Sequence, residues 1–145
     1  MARYTSGMTA TIAGTANRPI FAVLNAAAVS GLVREIAIYN TTTTACVYKV
    51  VKFTGGTAGT GQTEGKHRHR APAASCAAVA GYTADVTTID EDTGIRAAVP
   101  GSIGAGVILT FGDNGLEHDV GTTKGIGLIP VGTGQVCEVA FTWDE

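Results

Sequence analysis

The densest chemistry in this chain is Lys66-His67-Arg68-His69-Arg70, five consecutive side chains that are cationic or can become so. Such a run can meet an acidic protein surface or a nucleic-acid backbone through charge, or it can be a solvated loop. His67 and His69 are two apart, so an extended backbone puts them on one side, which also suits a metal. A metal needs a third and a fourth ligand. His118 and Asp119 are the obvious volunteers, and nothing in the sequence sets their distance. The weight falls on a loop or a partner contact, and no metal or cofactor is expected. Asp90-Glu91-Asp92-Thr93-Gly94 has the acids and the glycine of a calcium loop. The full pattern demands further ligands and a late Glu, and the flanks are strand-like, so a solvated turn is expected.

Nucleophilic catalysis finds little to work with. His67, His69 and His118 are the only histidines, and no serine sits in a Gly-x-Ser-x-Gly setting. Gly104-Ala105-Gly106 leads into a strand pattern, so the phosphate-binding logic of a helix N-terminus fails there. The Gly55–Gly65 stretch lacks the Gly-Lys-Ser/Thr ending of a phosphate loop. Cys46, Cys76 and Cys137 are widely spaced, with no CxxC, and read as buried free thiols. Nothing assembles a nucleophile, a base and an oxyanion site, so no catalytic residue is assigned and a non-enzyme is expected. The chain's only Trp lies in Phe141-Thr142-Trp143-Asp144-Glu145. A strand carrying so large an aromatic is docked, which puts Phe141 and Trp143 in the core or in a subunit interface.

The elements that must carry these residues are strands. From Val33 to Asn40, Ile36 and Ile38 share one face and Glu35, Ala37 and Tyr39 the other. From Cys46 to Thr54, Val47, Lys49, Val51 and Phe53 oppose Cys46, Tyr48, Val50 and Lys52. The clearest run sets Cys137, Val139, Phe141 and Trp143 against Val136, Glu138, Ala140 and Thr142. Less regular candidates are Thr9–Ala13, Pro19–Leu24, Ala77–Thr83, Ile95–Val99, Val107–Phe111 and Ile126–Val131. Asn114-Gly115 is a tight-turn signal that should join Val107–Phe111 to a short strand at Leu116–Val120. Asn25–Glu35 offers one short helix, weakened by Gly31. About eight to ten short strands between turns predict one antiparallel β-sandwich over residues 1–145, with a jelly roll as leading topology. The segment 55–74 is long for a loop inside a compact domain and reads as an arm that grips something outside it.

Composition agrees with a neutral, surface-covering brick. The chain has 145 residues, 15% of them charged, with a net charge of −2. Gly (20), Ala (22) and Thr (21) dominate. So little charge excludes a disordered chain, and the balance speaks against a nucleic-acid partner. Three cysteines are too few for a disulfide scaffold. No stretch is apolar enough to span a bilayer, and Met-Ala-Arg-Tyr-Thr-Ser lacks the apolar core of a signal peptide. Production in a reducing cytoplasm and no membrane partner are therefore expected.

The chain resembles the small β-sandwich virion proteins of tailed bacteriophages, especially capsid decoration (cement) proteins and related minor head or tail components. The likeness rests on Arg34-Glu35-Ile36-Ala37-Ile38-Tyr39-Asn40 and on the Gly55–Gly65 loop ahead of a variable segment. It rests also on Gly106-Val107-Ile108-Leu109-Thr110-Phe111-Gly112, and on Gly132-Thr133-Gly134-Gln135-Val136 with the ending Trp143-Asp144-Glu145. It is compositional more than a strict motif. It implies a non-enzymatic building block of a virion, without cofactor. The block would stabilise a capsid by bridging capsomers of the major capsid protein, as a homo-oligomer with a trimer favoured. The alternative is a tail or fibre module that recognises a cell-surface glycan. The scattered tyrosines, Tyr4, Tyr39, Tyr48 and Tyr82, speak against that alternative.

Overall fold

The computed structural model describes residues 1–9 and 13–145. Its strands, in chain order, are β1 (Arg3–Thr9), β2 (Phe21–Leu24), β3 (Leu32–Asn40), β4 (Cys46–Thr54), β5 (Thr60–Gly61) and β6 (Gly65–Lys66). They continue with β7 (Ala77–Ala80), β8 (Thr88–Val99), β9 (Gly106–Thr110), β10 (Lys124–Pro130) and β11 (Cys137–Asp144). Two antiparallel sheets result, ordered β6-β1-β11-β3-β9 and β5-β7-β2-β10-β4-β8. Without the small strands β5, β6 and β7, each sheet has four. The first strand lies beside the last in one sheet, and the second beside the next-to-last in the other. That is the jelly-roll arrangement of two interlocked Greek keys.

Period-two patterning explains the layers. Ile36, Ile38, Phe141 and Trp143 point inward from one sheet, and Phe21, Val23, Tyr48, Val50, Ile126 and Leu128 from the other, all buried. Phe21 and Phe141 meet at ring centroids 5.3 Å apart, and Tyr4 stacks on Trp143 at 5.9 Å. Each such side chain contributes about 1.5–3 kcal/mol by leaving water. Phe141 and Trp143 are thus core residues. The outer face of the larger sheet holds a second core, in which Val51, Phe53 and Ile129 pack under Tyr82 and Val86 of the loop between β7 and β8. Phe53 meets Tyr82 edge-on at 5.5 Å. That loop explains why β4 is apolar on both faces.

Several expectations are corrected. Asn25–Glu35 is no helix: the chain runs as a loop to Gly31 and then enters β3. The Asn25 side chain caps nothing helical. It accepts Gly31 N–H (3.0 Å) and donates to the carbonyls of His118 (3.1 Å) and Asp119 (2.8 Å). The Asn114-Gly115 turn forms, with Gly115 at φ 56°, but no strand follows over Leu116–Val120. Only Leu116 bridges to Val33, because the chain then leaves the sheet to bring its carbonyls to Asn25.

Asp90–Gly94 is no turn between elements. It lies inside β8, where Thr93, Gly94 and Ile95 face Val50 alone in a bulge. Gly94 takes φ 75° there, a left-handed conformation that other residues rarely adopt. Of the candidate strand Thr9–Ala13, residues 10–12 lie outside the described residues, and β1 occupies Arg3–Thr9 instead. Among the described residues no helix is long and apolar enough to cross a membrane.

Candidate functional site

The 55–74 segment is laid along the side of the sandwich rather than reaching away from it. β5 pairs with β7 at the edge of the larger sheet, and β6 pairs with β1 at the edge of the smaller. Backbone bonds continue the seam: Gln62 N–H to Ala78 O (2.8 Å) and His67 N–H to Arg3 O (3.0 Å). Side chains add to it. Ser6 Oγ donates to Thr63 O (2.9 Å), Glu64 accepts Ala78 N–H (3.1 Å), and Tyr4 Oη donates to Pro72 O (3.2 Å). At the far end the Glu145 carboxylate accepts Ser75 N–H, Cys76 N–H and Trp143 Nε1–H at 2.8–2.9 Å. The arm is therefore fixed at both ends, with an exposed tip from Lys66 to Arg70.

The charge of that tip stands out when all cations are followed to their partners. Arg3 and Arg34 bind Asp144, Arg18 binds Asp85, and Lys49 and Arg96 bind Asp92. Lys52 binds Glu91 and Lys124 binds Asp119. Lys66, Arg68 and Arg70 are the other three, and among the described residues none meets a carboxylate. Lys66 Nζ donates only to the nearby Ala71 carbonyl (2.9 Å). On an acidic chain, the unneutralised cations are thus gathered on one arm. Beside them lies an open groove of about 580 Å³, floored by Tyr4, Val29, Ala71 and Pro72 and rimmed by Arg68 and Arg70.

The histidines are not brought together around a metal. His67 Nε2 shares a 2.6 Å hydrogen bond with Thr5 Oγ1 on β1, while His118 Nε2 binds Asp90 Oδ2 (3.0 Å) beside β4. His69 is exposed on the arm. Among the described residues no group of three or more His, Cys, Asp and Glu is placed to hold a metal ion. The acids of β8 diverge for the same reason: Asp90 goes to His118 and Thr54, Glu91 to Lys52, and Asp92 to Arg96 and Lys49. The Arg96 hydrogen bonds and the Gly94 N–H hold the Asp92 carboxyl below its ordinary range.

Sequence reasoning missed a second polar place. Ser30, Lys52, Asp90, Glu117, His118 and Asp119 line an open cleft of about 540 Å³. Its His118–Asp90 pair spans 28 residues of sequence, a separation that no local motif signals. The hydroxyls there are committed elsewhere, Ser30 to Glu117 and Thr54 to Asp90 (2.6 Å). Neither bonds His118, so no hydroxyl is paired with the imidazole there. The Lys124 hydrogen bond holds Asp119 below the usual carboxylate range.

Asp144 is the other residue that no sequence pattern singles out. A bulge leaves Arg34 without a partner on β11 and turns it toward Asp144. Arg3 meets the same carboxylate with a two-pronged grip at 2.7 and 2.9 Å, and Arg34 Nε adds a bond at 2.8 Å. Cys46, Cys76 and Cys137 are free and buried. Tyr4, Tyr48 and Tyr82 are also buried, so Tyr39 is the one exposed tyrosine among the described residues. No family model matches the chain, and neither a curated protein nor a solved structure matches it.

Proposed function

We propose that this protein is a non-enzymatic structural component of a bacteriophage virion that decorates the capsid and stabilises it by bridging capsomers. The arm tip lies against an acidic patch of the major capsid protein. The observation that carries this reading is the charge census: among the described residues, Lys66, Arg68 and Arg70 meet no carboxylate while the other seven Lys and Arg each have one. An unpaired cluster held on a stitched-down arm is preorganised for a complementary acidic surface, and it costs little ordering on binding. Jelly rolls serve as viral capsid and lectin domains, an architectural support that by itself assigns no function. With Tyr4, Tyr48 and Tyr82 inside the core, the stacking platform a glycan site would use is reduced to Tyr39.

The test is co-sedimentation of the full chain with expanded, undecorated shells of its phage. Wild-type protein should bind to saturation and raise the temperature at which the shells come apart. A Lys66→Glu/Arg68→Glu/Arg70→Glu variant should bind about ten- to a hundredfold more weakly, and added salt should weaken the wild type in the same direction. Shells that stay bare with wild-type protein, or a variant that binds as well, would overturn the reading. Binding on a glycan array instead would move the protein to a tail or fibre role.

A further inference from the structure

We propose that β9 is a docking edge for a second copy of this chain. The two copies join edge to edge about a two-fold axis through Ile108, and two five-stranded sheets become one continuous sheet. Two sheets have four edge strands, and among the described residues they differ sharply. β5 and β6 are two residues long. β8 carries Asp90, Glu91, Asp92 and Arg96 and two register shifts, the usual means by which an edge refuses a partner. β9 reads Gly106-Val107-Ile108-Leu109-Thr110, without charge, proline or break in its register with β3. It alone is left unguarded.

Its hydrogen-bonding phase fits a copy of itself. At the two ends of its pairing with β3, Phe111 N–H donates to Arg34 O (2.9 Å) and Asn40 N–H to Ala105 O (2.8 Å). The register between them is unbroken, so Val107 and Leu109 face Ile38 and Ile36 in hydrogen-bonded pairs. Gly106, Ile108 and Thr110 must then direct N–H and C=O away from the sheet. An antiparallel copy centred on Ile108 sets each Ile108 against the other and each Gly106 against a Thr110. Every outward N–H and C=O of the three residues then has a partner.

The side chains agree with that pairing. The row through the axis runs Gly7, Ala140, Ala37, Ile108 and then the same residues in reverse, with no charge in it. Ile108 is 54% exposed. The core is open at the same end, where Ile95, Val107, Leu109, Phe111 and Leu116 pack against it only partly buried. A second copy on β9 continues the sheet over that opening.

The experiment uses the full chain and does not depend on the arm's partner. Light scattering should give twice the 14.7 kDa chain mass. Ile108→Lys should keep the far-ultraviolet spectrum and weaken self-association by at least about tenfold, since a charge on an edge opposes pairing. Ile108→Cys should oxidise to a linked dimer, because residues directly opposite in a hydrogen-bonded pair lie about 5.5 Å apart at Cα, within disulfide reach. Ile103→Cys, more accessible still at 71% exposure, should not. A chain that stays single at every concentration overturns the proposal, as does a threefold mass, a dimer that survives Ile108→Lys, or linking at 103 as ready as at 108. Should Ile108→Lys fail to fold, the cysteine pair decides: linking at 108 alone supports the axis, and its absence removes it.

Discussion

Asp144 shows how much one side chain can organise. The Arg3 hydrogen bonds are the first cause that holds its carboxyl below the ordinary range, Arg34 adds to them, and burial opposes both. A carboxyl whose pKa is depressed by folding stabilises the fold above its unfolded value, about pH 4, and loses that contribution as pH falls through the folded value. Asp144→Asn should therefore lower stability at neutral pH by about 1–3 kcal/mol, toward the low end because Arg3 is half exposed. It should also flatten the acid limb of the stability curve. A variant with wild-type melting temperatures from pH 7 down to pH 3 would remove Asp144 from this role. The thiols give a second prediction at this scale. Burial, helped by Glu145, pushes the Cys76 thiol up to about 12, and burial pushes Cys137 up to about 11. Thiolate is the reactive form, so at pH 8 Cys76 and Cys137 of the native chain should stay unreacted toward a disulfide reagent while the unfolded chain titrates three thiols. Reaction of the native chain at a rate near that of the unfolded one would contradict the burial. Buried free thiols were legible in the spacing of the cysteines. The Asp144 and His118 pairings were not, because each joins residues from distant strands and leaves no local pattern.

Among the elements, strands with strict alternation were readable to within a residue or so. β3, β4 and β11 place inward the residues their period-two patterns nominate. β1 was missed because its inward row, Tyr4, Ser6 and Met8, includes a buried serine whose hydroxyl is satisfied by the arm. The acidic run in β8 reads as a turn in the sequence because three acids and a glycine look alike in a turn and in a bulge. Lys49 and Lys52 of β4 and Arg96 of β8 itself neutralise Glu91 and Asp92, which allows a strand there. Asn25 misled in the same way: an Asn before three alanines looks like a helix cap, but its amide holds two loops together. Asn25→Leu would strand Gly31 N–H and the His118 and Asp119 carbonyls. It should lower the denaturant midpoint by the equivalent of about 1–3 kcal/mol without changing the slope, and speed amide exchange over residues 116–121. An unchanged midpoint would show that water replaces the amide without loss.

For the whole molecule, the sandwich class followed from strand count and length, with a jelly roll as leading topology, whereas the strand order emerges only from the structure. The arm was legible as an insertion and illegible in its path, because two-residue strands carry no periodicity. Its cations were visible in the sequence, but that they alone lack acids emerges only when every other pair has been placed. The charge-reversal and edge variants belong to this scale, since they leave the core alone and change what the brick touches.

β1 and β11 lie side by side and antiparallel, with Ala2 and Glu145 exchanging backbone hydrogen bonds at 2.8 and 2.9 Å. Tension applied at residues 2 and 145 would therefore peel this ladder one rung at a time instead of shearing all its rungs together. An attachment that carried tension through these two points would be mechanically soft. Greater strength would come through routes that pull across the sheets, by way of the stitched arm and the free edge.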